Sequence, residues 1–487
     1  MLRSTLCRAL FCAGLSLHAM ADNVPFTVAD GMFNQDEQQT LGLAMVAGAE
    51  TVTVYAPTAS STNKFCNGIV MCEFKGDLYC MWQSSAKDED AEDTWVAYAR
   101  STDDGKTWSE PMVLAETLSN GYCSSGGWIA TTDKLVGFIN TWPGGLSPKG
   151  GYTRYVSSTD GLTWTAPADV KMADGSTLNG IFEQDPYVMS DGRIINSAHF
   201  QPGLKVCPIY TDDPYGVTGW KKGTFTHQGS GDQSRELEPS QFVKSDGTVV
   251  MIFRDQNSTY KKMAASSADR GETWTNSVVI ENMPDARTKQ SAGNLPDGTA
   301  FMACNPVNVK TYDKTDGKTR VQRRPLVLTL SKDGNHFDTS WLLRYGNDEL
   351  MEQGPLFSGK AKRPGYHYPK SMVSGEYLYV AYASNKEDVQ YTRIPLSSIS
   401  LNGGSSVEDT TLPDVTVNLS SGRILSVTQP LVGEVLIGVY TVSGVNVLTH
   451  RASGDYVKCD LSALSAGIYV VKVETAHGVC SEVFVLK

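Results

Sequence analysis

No long basic run occurs in this 487-residue chain: 53 Asp and Glu outweigh 42 Lys and Arg, for a formal net charge of −11. Nucleic-acid binders need a basic face, so no nucleic-acid partner is expected. No apolar stretch is long enough to cross a bilayer, which excludes a transmembrane segment as the organising element. Long stretches of helical periodicity are missing, which argues against a helix-rich fold. Cys-x-x-Cys pairs are missing too, so no structural zinc site is expected; the tyrosine chemistry reached below requires no cofactor. What the chain does have is glycine (45), tyrosine (21) and tryptophan (9). That mixture suits many tight turns between aromatic-rich strands.

The N-terminus reads as an export signal over residues 1–21. Arg3 and Arg8 supply positive charge, Ala9 to Leu17 is a short apolar run, and Ala19-Met20-Ala21 is a small-x-small cleavage site before Asp22. Cys7 and Cys12 would leave with it, so eight of the ten cysteines remain. In an oxidising compartment disulfides are allowed, and Cys459 with Cys480 is the candidate pair. Cys66, Cys72 and Cys80 sit in apolar, strand-like runs and read equally well as buried thiols.

A turn signature repeats. Ser101-Thr-Asp103-Asp-Gly105-Lys-Thr107-Trp108 and Ser267-Ala-Asp269-Arg-Gly271-Glu-Thr273-Trp274 are full copies. Ser158-Thr-Asp160-Gly161-Leu-Thr163-Trp164 and Ser331-Lys-Asp333-Gly334 are shortened, and Thr211 to Trp220 is degenerate. Starts at 101, 158, 211, 267 and 331 are 57, 53, 56 and 64 residues apart, and Ser384 to Asp388 is a sixth unit 53 residues on. That period fits a four-stranded blade. The expected fold is all-β: a six-bladed β-propeller over roughly residues 27–400, with seven blades as the alternative. Thr51 to Tyr55 would close the ring against the last blade. In the signature, Asp should accept backbone N–H groups, Gly should supply a positive φ, and Trp should fold back over the blade.

Residues 401–414 form a polar linker, and 415–487 read as a small β-rich tail. Val439-Tyr-Thr-Val-Ser-Gly444 and Leu461-Ser-Ala-Leu-Ser-Ala-Gly467-Ile-Tyr-Val-Val-Lys472 resemble the C-terminal sorting domain of Bacteroidetes type IX secretion substrates. That resemblance implies the type IX machinery as a partner and an outer-surface or secreted location. A carbohydrate-binding β-sandwich is the alternative for this tail.

With its turn signatures the chain also resembles bacterial and eukaryotic sialidases, and more closely the broader BNR-repeat sialidase-like group. Glu238-Pro-Ser-Gln stands sixteen residues before Arg254, Asn305-Pro306 precedes Arg323-Arg324-Pro325, and Tyr366-His-Tyr368-Pro precedes the last strands. The resemblance implies Tyr368 as nucleophile, Glu238 as its base, Arg254 and Arg324 as clamps on a substrate carboxylate, and Asp90 as the acid. A neutral tyrosine suits attack on a sugar whose anomeric carbon bears a carboxylate, because a carboxylate nucleophile would be repelled. The family's first arginine is missing: Asn63-Lys-Phe-Cys-Asn67 offers only Lys64. His199 opens a second chemistry, proton abstraction beside a uronate, as in a polysaccharide lyase or a uronate-directed glycosidase. A non-catalytic glycan-binding propeller is the third. The acidic run Lys87 to Asp93 could hold a cation, but no loop motif supports Ca²⁺.

Overall fold

The computed structural model describes residues 24–401 and 415–486, apart from 230, 315–316, 421, 442–445 and 476–477. The signal and linker expectations therefore lie outside the described residues, as do parts of the tail motifs. Among the described residues no helix is long and apolar enough to cross a membrane.

Six antiparallel sheets follow one another along the chain. The first is built from Phe65–Phe74, Asp77–Ser85, Trp95–Ser101 and Met112–Ala115. The second opens with Gly121–Ala130, and the third holds Gly180–Phe182, Tyr187–Val188, Ile194–Phe200 and Lys205–Thr211. Glu236–Val243, Ser291–Asn294 and Tyr366–Ser374 open the fourth, fifth and sixth. Apolar residues on both faces of their inner strands make these sheets the core, as in Val249–Asp255, where five successive side chains are fully buried. The sixth sheet is completed by Glu50–Tyr55, which pairs antiparallel with Asp388–Pro395. First strands of neighbouring sheets touch, except that the third sheet meets the first strand of the fourth through Ile194–Phe200, and the first strand of the sixth packs against that of the first.

The signature turns join the third and fourth strands, and their chemistry is visible. In the first sheet Ser101 Oγ accepts from the Gly105 N–H at 2.9 Å, and Asp103 accepts from the Thr107 N–H at 2.9 Å and its hydroxyl at 2.7 Å. Those bonds, led by the Thr107 hydroxyl, hold the Asp103 carboxyl down at about 2. The tryptophan reaches back to the preceding sheet: Trp108 meets Tyr391 edge-on, and Trp164 meets Tyr98. Gly161 shows why the turn needs glycine. Its φ is +72°, and a Cβ there would lie 1.9 Å from the Tyr79 hydroxyl of the first sheet. Gly161→Ala is expected to cost about 2–4 kcal/mol, read as a lower urea midpoint with an unchanged slope.

Two expectations are corrected. Ser384 to Asp388 is not a sixth copy, because it connects the second and third strands of the last sheet, Tyr377–Ser384 and Asp388–Pro395. The spacing matched, but the position within the sheet differs. In the tail, Cys459 and Cys480 are both free, buried thiols in one apolar core, and burial raises both. That core lies against a five-stranded antiparallel sheet whose long strand Ile424–Thr441 buries alternate residues Val435, Ile437 and Val439.

Candidate functional site

Four first strands carry the same irregularity near their starts. The register slips between Asn67 and Val70, between Ser125 and Gly127, between Leu237 and Ser240, and between His367 and Lys370. Each bulge contains a residue with positive φ: Gly68 (+60°), Gly127 (+117°), Glu238 (+49°) and Tyr368 (+53°). Glycine takes that conformation freely, whereas a side chain pays about 1–2 kcal/mol. Bulges re-aim side chains, and strain of this kind gathers at functional sites. The two bulges that keep a side chain are those of Glu238 and Tyr368.

Three cations surround the Tyr368 ring. Arg323 lies 5.0 Å from its centroid, Lys386 5.1 Å and Lys289 5.2 Å. All three are buried. Lys289 is held by Glu183 at 2.9 Å, and Lys386 by Glu89 at 2.8 Å, which also accepts from Asn67 at 2.9 Å. Glu238 pairs with Arg254 at 3.0 Å. Burial alone would raise the Glu238 carboxyl, but the charges of Arg254, Lys289 and Arg323 outweigh it and hold the group well below the ordinary range. Tyr368 and Glu238 thus share Lys289 and Arg323 as neighbours.

His199, on strand Ile194–Phe200 of the third sheet, is buried behind Glu238. Its Nε2 accepts the Glu238 backbone N–H at 3.4 Å, so the proton sits on Nδ1, which faces Glu183 Oε1 at 3.9 Å. The imidazole therefore supports the strained Glu238 backbone and does not present Nε2 to a substrate. This corrects the substrate-facing role expected from sequence. Burial lowers the His199 pKa, with Glu183 and Glu238 pulling it up and Lys289 down. Below its ordinary value near 6.5 the unfolded chain binds a proton that the folded one resists. Stability is full above that pH and falls as pH drops toward the folded value. Urea melts of wild type and His199→Gln from pH 7 to 5 should show a steeper acid loss in wild type.

Two further expectations change. Arg324 does not face the site: its Nη1 donates to the Met351 carbonyl at 2.7 Å. Its neighbour Arg323 does. Asn305 fixes this arrangement by donating to the Arg323 and Pro325 carbonyls at 3.0 and 2.9 Å, so the Asn-Pro landmark pins the segment one residue out of the expected phase. Asp90 is half-exposed and paired with Lys149 at 2.7 Å, while Glu89 reaches inward to Lys386. Lys64 donates to the Ala59 carbonyl at 2.9 Å and supplies no substitute for the missing arginine. No cluster of metal-ligating side chains occurs among the described residues.

Cavities of about 650 and 580 Å³ exist, but they open at the other end of the first strands, beside Gly298 and Ser245 and beside Glu73 and Ser374 respectively. The chemistry-bearing side chains line neither.

The profile described as BNR repeat-like domain matches residues 76–380. A curated relative, a sialidase of Bacteroides fragilis (strain YCH46), is 22% identical over 343 residues, covering 62% of this chain and 56% of that protein. The chain thus spans little more than half of this relative's length. Among solved structures, a Hadza microbial sialidase superimposes with TM-score 0.53 at 15% identity, covering 72% of this chain and 69% of that one. Trypanosoma rangeli sialidase gives TM-score 0.51 at 11% identity, covering 90% and 89%. A Dyadobacter fermentans DSM 18053 protein of unknown function gives 0.53 at 14%, covering 72% and 99%. These likenesses establish a shared sialidase-like fold.

Proposed function

We propose, for a chain that belongs to the family of BNR repeat-like domains, that the six sheets are the blades of one propeller acting as a glycoside hydrolase of sialidase type on a terminal acidic sugar. The observation that carries this reading is Tyr368, a tyrosine kept at positive φ inside a ring of three cations. In this mechanism the phenolic oxygen attacks the anomeric carbon as its proton passes to Glu238. The carboxyl group of Asp90, beside Glu89 on the same loop, gives its proton to the departing oxygen and becomes a carboxylate. Water then attacks the glycosyl-tyrosine as it passes a proton to that carboxylate, the phenol recovers its proton from Glu238, and configuration is retained. Arg254 and Arg323 hold the sugar carboxylate.

The uronate-lyase alternative draws no support from His199, whose Nε2 is taken by the Glu238 N–H. We read the N-terminal residues as an export signal and the tail sheet as a sorting domain for type IX secretion, so that the substrate is an extracellular glycan. The test is incubation with a fluorogenic α-sialoside, with the first-released anomer followed by NMR. Release of the α-anomer is expected. An ultraviolet-absorbing unsaturated product from a uronate polysaccharide would establish the lyase instead, and glycan binding without either reaction would establish a lectin.

A further inference from the structure

Both backbone groups of Glu238 are held by side chains from outside its own strand. Its N–H donates to His199 Nε2 at 3.4 Å, and its carbonyl accepts from Gln290 Nε2 at 3.1 Å. Gln290 is fully buried and lies in the loop between Val278–Pro284 and Ser291–Asn294. The same amide nitrogen reaches Ser240 Oγ at 3.1 Å and the Ile252 carbonyl at 2.9 Å. These partners frame the register slip between Leu237 and Ser240. A bulge leaves ladder groups without a partner on the next strand, and one glutamine supplies the missing donor here.

Gln290 is itself fixed by a buried ammonium. Lys262 Nζ donates to Gln290 Oε1 at 2.8 Å, to the Thr288 carbonyl at 2.7 Å and to Asp285 Oδ1 at 2.9 Å. A lysine has three protons, and each finds its own acceptor. Lys262, Asp285, Thr288 and Gln290 are at most 1% exposed, a setting in which a charge persists only when paired and hydrogen-bonded. The loop from Asp285 to Gln290 is thereby held at three points. It delivers to the site the Arg287 carbonyl, which accepts from Arg323 at 3.2 Å, and Lys289, 5.2 Å from the Tyr368 ring centroid. Gln184 joins the loop to the third sheet by donating from Nε2 to the Gln290 carbonyl at 2.5 Å.

We propose that Gln290 is a positioning residue, which locks the left-handed Glu238 backbone to the loop carrying Lys289, with Lys262 and Asp285 holding Gln290 in place. The inference rests on the acidic-sugar reading for the role of Glu238 as proton acceptor and adds the residues that aim it. His199 secures only the N–H of Glu238. With the carbonyl released, the peptide is free to leave its φ of +49°, and the carboxylate leaves its cations with it.

Three variants of the whole protein test this. Gln290→Met keeps the length of the side chain and lacks the amide. Gln290→Glu/Asp285→Asn keeps one anion and an acceptor for Lys262, but a carboxylate cannot donate to the Glu238 carbonyl. Leu330→Ala opens a cavity in the core of the fifth sheet and controls for lost stability. The readouts are kinetics on a fluorogenic α-sialoside and a carboxyl ¹³C titration of Glu238, assigned by its absence in Glu238→Gln. Arg254, Lys289, Arg323, His199 and Tyr368 surround that carboxyl, so its midpoint reports whether it still faces them. In both Gln290 variants the midpoint is expected to rise by about one pH unit or more toward the ordinary value near 4.3. In both, kcat should fall roughly tenfold or more at an unchanged KM. The double variant should nevertheless melt close to wild type, and Leu330→Ala should keep the wild-type midpoint and kcat. Should Gln290→Met not fold, the double variant carries the same test. A wild-type midpoint in the Gln290 variants would overturn the proposal, as would a double variant that regains kcat along with stability. If wild type does not turn over the sialoside, the acidic-sugar reading falls, and the titration alone decides whether Gln290 aims Glu238.

Discussion

Tyr368→Phe is expected to lower kcat on an acidic-sugar glycoside by about three orders of magnitude or more, with KM and thermal stability close to wild type. The substitution removes one oxygen atom. The ring stays, and with it the packing of Arg323, Lys386 and Lys289 at 5.0–5.2 Å. The positive φ of +53° costs Phe what it costs Tyr, so the bulge keeps its shape. Binding depends on the arginines and should survive. Only the bond between the phenolic oxygen and the anomeric carbon is lost, and that bond exists only along the reaction path. Steady-state kinetics with a fluorogenic sialoside, beside a urea melt, checks both halves. A kcat within a few-fold of wild type would remove Tyr368 from the chemistry.

Much of the scaffold was legible because its signals are local. Ser101, Asp103, Gly105 and Thr107 satisfy one another within seven residues, so the turn can be read without knowing what surrounds it. The pairing of the early strand at Glu50–Tyr55 with the last sheet was legible from alternation and position alone. Ser384 to Asp388 misled because spacing does not say which strands a turn connects.

Candidate residues could be placed together from the sequence only where they fall on neighbouring strands of one sheet. Glu238 and Arg254 lie on adjacent strands of the fourth sheet, and a bulge brings them to 3.0 Å. Arg323 and Arg324 show the limit. Neighbours along the chain face different surroundings, and which one faces Tyr368 was decided by Asn305, eighteen residues away. Glu89 and Asp90 repeat that ambiguity. Lys289 and Lys386 come from loops of other sheets and carry no motif. Only the packing of the sheets against one another brings them together. Positive φ at Glu238 and Tyr368 likewise leaves no mark in the residue types, since neither is glycine or asparagine.

Glu238→Gln is expected to do two separable things. Removing the carboxylate leaves Arg254 buried beside Lys289 and Arg323 without its 3.0 Å partner, which should cost about 3 kcal/mol of stability. It also removes the acceptor for the Tyr368 proton and should lower kcat about a hundredfold or more. The double variant Glu238→Gln/Arg254→Met tests the separation, because deleting the stranded charge should recover most of the stability and none of the activity. Glu238→Gly should be more stable than Glu238→Ala by about 1 kcal/mol, since glycine accepts a φ of +49° without a Cβ penalty. Acid titration gives an independent check. The cations lower the folded pKa of Glu238, so the pair's contribution is fully present above the unfolded value near 4.3 and is lost as pH falls through the folded value. Wild type should therefore lose stability faster than Glu238→Gln below about pH 4. Parallel acid limbs in the two proteins would mean that Glu238 is not held ionised by its neighbours, and its role as the proton acceptor would go with that.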